Sequence, residues 1–343
     1  MSARARWTTG VLASVLAGAL AGPVGAVTAA AVRGKAPVYE ETIDLTVADL
    51  QEYWGSELPA LYGVRYRRIP DAKVIPYTST SKIPRCGQGR LRYRDVAENA
   101  FYCNAGKFLA YDDEGLFPQL DREFGDFTIA LTLAHEWGHA VQDQAGLTGP
   151  TIALEQQADC FAGAWVGHVG EGASSRLSLR EGNLDTGLAG LLTFRDPPGS
   201  DPTEDGAHGS AFDRVGAFQE GYDDGPERCA EFEDDPPALT DIPFTDEADF
   251  DRGGDLPYRD VIPTTAADLD AYWSGLLSDY RSVEHITAFD PARALPVCRG
   301  QKLPRDTDKI SAGTGASAFE NVDAFRRGFF EAEQSCVEVV PAS

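Results

Sequence analysis

With 54 acidic side chains against 30 basic ones, this chain of 343 residues carries a formal charge of −24. That balance excludes nucleic acid as a partner, because binding it needs a basic face. The acidic surplus reads as a solvated exterior, which favours solubility and says nothing about fold. A hydrophobic content of 43% is enough for a packed core, and the length suits one large domain or two ordinary ones.

The chain opens with a targeting signal. Arg4 and Arg6 precede a run rich in Ala, Val, Leu and Gly from Val11 to Val32. Ala26, Thr28 and Ala29 offer small-residue cleavage sites, and Pro23 and several glycines disfavour a permanent span. Residues 1–32 therefore read as a signal peptide, with an N-terminal membrane anchor through residues 11–32 as the alternative, since about 20 apolar residues can cross a bilayer. Either way the body is expected outside the cytoplasm, secreted or extracytoplasmic. Six cysteines in an oxidising compartment then point to disulfides. These are Cys86, Cys103, Cys160, Cys229, Cys298 and Cys336, and none forms a C-x-x-C pair.

Residues 36–232 hold most of the aromatic and apolar content and form the expected main domain. Within it, "GDFTIALTLAHEWGHAVQDQAG" at 125–146 places Phe127, Leu131, Ala134 and Val141 at helical spacing, with Asp126 to cap the start and Gly146 to end it. Inside that helix lies His135-Glu136-Trp137-Gly138-His139. An H-E-x-x-H on a helix sets two imidazoles one turn apart on one face, as two zinc ligands require, with the glutamate beside the metal. Such a zinc site needs a third protein ligand. The following helix, "TIALEQQADCFAGAWVGHVG" at 151–170, offers Glu155 and Asp159 at i, i+4 on one face. One can ligate while the other holds a ligand imidazole by its second nitrogen. His168 lies 13 residues beyond Glu155 on the same helix and should be too distant.

Residues 233–255 fall in the acidic, Pro- and Gly-containing stretch "EFEDDPPALTDIPFTDEADFDRGGD" and read as a linker. Residues 256–343 repeat landmarks of the main domain in order. "TVADLQEYW" at 46–54 returns as "TAADLDAYW" at 265–273, reading as a helix start, and "IPRCG" at 83–87 is echoed by "LPVCRG" at 295–300. "SAFDRVGAFQEGYD" at 210–223 returns as "SAFENVDAFRRGFF" at 317–330. The stretch from about 104 to 209, zinc helices included, has no counterpart. The tail thus reads as a degenerate, non-catalytic repeat, with Phe319 and Phe325 buried and Cys336 tying it down.

"AHEWGHAVQ", "LEQQADCFAGAW" and "HGSAFDRVGAFQEGY…C", preceded by "FYCNAGKFLAYDD" at 101–113, resemble the bacterial neutral zinc metallopeptidase family of the YpfJ type over about residues 84–231. The resemblance implies a zincin-like fold: an α+β, mainly helical domain, here with a small degenerate C-terminal repeat. By that analogy His135, His139 and Glu155 hold one zinc ion per chain, Glu136 is the general base, and Asp159 orients a histidine. Gln156 stands where the family usually has Leu. Zinc lowers the pKa of its water towards about 7 and polarises a carbonyl. Glu136 would take the water proton and pass it to the leaving amine.

The repeat helps to find a donor for the oxyanion. Fixed-spacing alignment sets Gly315 opposite His208 and Asn321 opposite Arg214. What a non-catalytic copy loses is a candidate for chemistry. His208 is thus expected to be catalytic, as an oxyanion donor or substrate-binding residue. Arg214 is expected to bind substrate or pair with a carboxylate, and drift at two exposed positions is the alternative. Within the tail Cys298 can pair only with Cys336. By analogy Cys86–Cys229 and Cys103–Cys160 would follow, and the alternative is local pairing, Cys86–Cys103 with Cys160–Cys229. The leading function is a secreted zinc endopeptidase acting on protein or peptide. The alternatives are a non-catalytic envelope or binding protein with a structural zinc, and a zinc hydrolase of a non-peptide bond.

Overall fold

The computed structural model describes residues 39–276, apart from 88, 181, 205, 241 and 242. The leader (1–32) and the tail landmarks Cys298, Cys336, Phe319 and Phe325 lie outside the described residues.

The chain begins with α1 (Tyr39–Tyr62), a long helix that buries Ile43, Leu50, Trp54 and Leu58. Next come β1 (Val74–Tyr77), the single turn α2 (Tyr93–Val96), β2 (Ala100–Cys103) and β3 (Phe108–Asp112). The strands form one sheet in the order β1-β3-β2, with β1 parallel and β2 antiparallel to the central β3. All five residues of β3 are buried, as expected of a central strand covered on both faces. A second group of helices follows: α3 (Leu116–Phe124), α4 (Asp126–Ala145), α5 (Thr151–Gly170), α6 (Asn183–Leu191) and α7 (Ala211–Glu231). The short α8 (Glu247–Asp251) and the longer α9 (Tyr258–Leu276) end the described part. The fold is thus mainly helical with a small sheet. No helix among the described residues is long and apolar enough to cross a membrane.

Helices α4 and α5 are buried nearly all round, so their own amphipathic pattern is weak. Trp137, Val141, Phe161, Trp165 and Val166 are fully buried in one core with Trp54 of α1 and Phe218 of α7. Trp54 meets Phe161 edge to face at 5.0 Å. Trp165 also donates its indole N–H to the buried Asp49 of α1 at 2.8 Å. The indole N–H of Trp137 likewise donates to Tyr66 Oη at 3.0 Å, so both rings satisfy their polar tips while their apolar bodies fill the core. A smaller core, with Tyr77, Val96, Cys103 and Phe108, lies under the sheet.

The second zinc-motif helix has the expected bounds of 151–170. The first differs at its start. Gly125, at φ 87°, occupies the N-cap of α4, and Asp126 stands inside the first turn. There its carboxylate accepts from Thr42 Oγ1 and Arg180 Nη2 at 2.8 and 2.9 Å. Tertiary partners have claimed the side chain that sequence assigned to capping. Gly146 ends α4 in the left-handed conformation, as expected of a C-terminal glycine.

"TVADLQEYW" and "TAADLDAYW" are helical in both places, inside α1 and α9 rather than at their starts. Their surroundings differ. Ile43 and Asp49 are buried in α1, whereas the matching Ile262 and Asp268 of α9 are exposed. The stretch 233–255 contains α8, and Thr240 N–H donates to Asp213 Oδ1 at 2.7 Å, fastening that stretch to α7.

The disulfides take the local pairing, Cys86–Cys103 and Cys160–Cys229. The long-range pairing suggested by analogy with the tail is therefore corrected. The reason is architectural. Cys103 ends β2 and Cys86 lies beside it at the small core under the sheet, while Cys160 and Cys229 face each other across the α5–α7 contact.

Candidate metal centre

The site forms where α4 crosses α5. At that crossing a Cβ on Gly138 would lie 2.9 Å from Cα of Ala158, so only glycine permits the approach. Ala158 is flanked by Gln157 and Asp159 and lies one turn from Glu155. The glycine inside H-E-W-G-H is therefore what lets α5 bring its carboxylates against the two imidazoles. His135 Nε2 is 3.2 Å from Glu155 Oε2, and His139 Nε2 is 3.4 Å from Glu155 Oε1. The ligand atoms of His135, His139 and Glu155 all lie within 4.8 Å of one another.

Both imidazoles are held by their other nitrogen. His135 Nδ1 lies 2.7 Å from Asp159 Oδ1, and His139 Nδ1 lies 2.9 Å from Gln142 Oε1. The amide of Gln142 donates to Leu154 O and Gln157 Oε1, at 2.7 and 3.1 Å. Its oxygen is thus left to accept, so His139 carries its proton on Nδ1 and presents Nε2 as a lone pair. That tautomer is the one a metal ligand needs.

Burial and charge act against each other throughout. Burial alone would raise the carboxyl of Glu155, but the adjacent imidazoles of His135 and His139 hold it well below the usual range. For Asp159, Arg214 and His135 outweigh the burial penalty and keep it ionised. Burial disfavours a cationic His135, yet Asp159 and Glu155 push its pKa up to about 10. Glu136 differs: burial dominates and raises its pKa above the usual carboxyl value. The two imidazoles and the backbone of Tyr102 in β2 act the other way, towards a lower value.

The residues fit a cation. Glu155 Oε2 is buried and accepts no hydrogen bond, although His135 Nε2 is close by. An orphaned carboxylate oxygen aimed at two imidazoles is costly unless a positive ion completes it. Two nitrogens and one oxygen match the donor set of a zinc site that keeps a position open.

The trio opens on a cavity of about 620 Å³. Its wall includes Glu136, Asn99 and the Ala100–Tyr102 stretch of β2, Thr132, Phe194 and His208. The structure thus brings His208 to the same cavity as the trio. Its imidazole is half exposed and lies 3.6 Å from Asp196. Asp196 Oδ2 accepts the backbone N–H groups of both His208 and Gly209, at 2.8 and 2.7 Å. The departure at Gln156 also acquires a purpose, because its amide donates to the carbonyl of His208 at 2.9 Å. His168 packs at a tilt against Tyr53, with ring centroids 4.9 Å apart, and is not part of the trio.

Arg214 is placed differently from the expectation of a substrate-binding side chain. It is 1% exposed. Nε and Nη2 both donate to Asp159 at 2.8 Å, and Nη1 donates to Phe194 O at 3.0 Å. The guanidinium is spent on the protein, so of the two readings it pairs with a carboxylate. Sequence reasoning missed Gln142 and Asp196. The first stood three residues after His139 in "HAVQ", the spacing of one helical turn, and could have been found. The second is distant in sequence from His208 and carried no signal.

A family model described as "Putative neutral zinc metallopeptidase" matches residues 11–232. The chain is 26% identical to the Escherichia coli (strain K12) protein YpfJ over 212 residues, covering 54% of this chain and 69% of that one. It is 31% identical over 160 residues to Mb2605 of Mycobacterium bovis, covering 38% of this chain and 54% of the relative. No solved structure matches. On the extent of the family match, and on a His135–His139–Glu155 cluster where its zinc motif falls, the chain belongs to the putative neutral zinc metallopeptidase family.

Proposed function

We propose that this protein is an extracytoplasmic zinc endopeptidase in which His135, His139 and Glu155 hold one zinc ion and Glu136 is the general base. One observation carries the reading: Glu136 lies buried on the wall of the cavity beside the trio, with a raised pKa. A purely structural zinc site would need neither that carboxyl nor a cavity of this size.

A zinc ion bound there would supply the Lewis acidity that activates water and polarises a carbonyl. The chain's own residues do the rest. Glu136 takes a proton from the attacking water and returns it to the departing amine. Asp159 and Gln142 hold the imidazoles so that Nε2 of each faces the same point. His208, fixed through its backbone by Asp196 and Gln156, is the candidate donor to the oxyanion. Strand β2 pairs only with β3 among the described strands, so its outer edge faces the cavity. An extended peptide laid along that edge would gain main-chain hydrogen bonds, which favours a peptide over other amides or esters.

Two disulfides support a location outside the cytoplasm. The shared helical motif of α1 and α9 supports reading residues 256–343 as a repeat of the scaffold with a structural or binding role.

The test is hydrolysis of a denatured-protein or peptide library by the mature protein, with and without a chelator, beside Glu136→Gln. Cleavage should vanish in the variant while its zinc content stays at one per chain. A wild type that holds zinc and cuts nothing would overturn the peptidase reading.

A further inference from the structure

Resting on zinc binding at the trio, we infer that Arg214 is a positioning residue that fixes a metal ligand and the His208 wall of the cavity at once.

The connection runs through atoms on the page. One edge of the guanidinium grips both oxygens of Asp159, and Asp159 Oδ1 in turn holds His135 Nδ1. The remaining Nη1 holds the carbonyl of Phe194. Two residues later Asp196 gathers the N–H groups of His208 and Gly209 and donates its own N–H to Gly209 O at 2.9 Å. Arg214 itself stands in the first turn of α7, directly after the 207–210 segment. Its side chain therefore touches both the carboxylate behind His135 and the carbonyl of Phe194, two residues before the aspartate that holds the His208 segment.

Its type matters as much as its charge. A planar fork can satisfy a carboxylate with two parallel bonds and still point a third donor elsewhere; an ammonium is a single point of charge. Lysine would keep Asp159 ionised but could not hold both oxygens and Phe194 O together. Helix α7 can deliver the fork because its backbone packs directly against that of α5. A Cβ on Gly221 would lie 1.9 Å from Cys160 O, well inside contact distance.

The experiment uses the full chain with Arg214→Lys, and Asp196→Asn as a second variant. Zinc affinity is measured by competition with a chromophoric chelator, ligand geometry by the absorption bands of the cobalt(II)-substituted protein, and mobility of residues 192–209 by amide hydrogen exchange. Arg214→Lys should bind zinc about 10–100-fold more weakly, as loss of a ligand's outer partner does. Its cobalt bands should shift, and exchange over 192–209 should quicken. Asp196→Asn should quicken that exchange while leaving zinc affinity within about twofold. A merely structural arginine would lower the melting temperature but leave cobalt bands and affinity unchanged, and that result overturns the inference. So does an Arg214→Lys protein whose 192–209 segment exchanges at the wild-type rate. Should Arg214→Lys not fold, the double variant Asp159→Asn, Arg214→Gln removes the buried charges together, and wild-type affinity and exchange there would again overturn it. A wild type that binds no zinc overturns the endopeptidase reading as well, whereas a wild type that binds zinc with an equally tight variant overturns this inference alone.

Discussion

Removing the Cys160–Cys229 bridge should cost more stability than removing Cys86–Cys103. The first closes a sequence separation of 69 and the second one of 17. In the chain-entropy description those loops restrict the unfolded state by about 4.4 and about 3.1 kcal/mol. Packing widens the gap, because Cys160 and Cys229 are both fully buried where α5 meets α7, whereas Cys86 is half buried. The comparison is between Cys160→Ala/Cys229→Ala and Cys86→Ala/Cys103→Ala in the full chain. Urea unfolding followed by tryptophan fluorescence is suitable, since Trp54, Trp137 and Trp165 are buried in the main core. The first double variant should be less stable than the second by at least about 1 kcal/mol. Equal losses, or a larger loss for Cys86/Cys103, would refute the reasoning. So would a peptide map that links Cys86 to Cys229.

Gly138→Ala should weaken zinc binding and cost about 1–3 kcal/mol, because its methyl group must push α5 away from α4; calorimetry of zinc binding and a melting curve read both. Gln142→Ala should lower zinc affinity about 10–100-fold by freeing His139 Nδ1, with little change in fold by circular dichroism. His208→Ala should reduce kcat about 10²–10³-fold while zinc content stays unchanged, provided the imidazole serves the oxyanion. Phe218→Ala, truncating a fully buried ring between α5 and α7, should cost about 3–5 kcal/mol in urea unfolding.

The sequence by itself determined the local chemistry. H-E-x-x-H on a period-3.6 pattern placed His135 and His139 one turn apart, and the i, i+4 spacing put Glu155 and Asp159 on one face, because helical geometry is set by neighbours in the chain. Gly146 as a helix stop was legible for the same reason. The tertiary structure decided everything that depends on which elements touch. Asp126 lost its capping role to Thr42 and Arg180, partners 84 and 54 residues away. The cysteines paired within the sheet unit and across α5–α7, which no spacing rule reveals. Arg214 drew notice only because Asn321 stands at the matching place of the similar C-terminal stretch, yet its role followed only from burial. A guanidinium with no solvent around it must spend its donors on the protein, and α7 aims them at Asp159 and Phe194. A separate bond, from the Gln156 amide of α5 to the carbonyl of His208, was equally invisible in the sequence because the two residues are 52 apart.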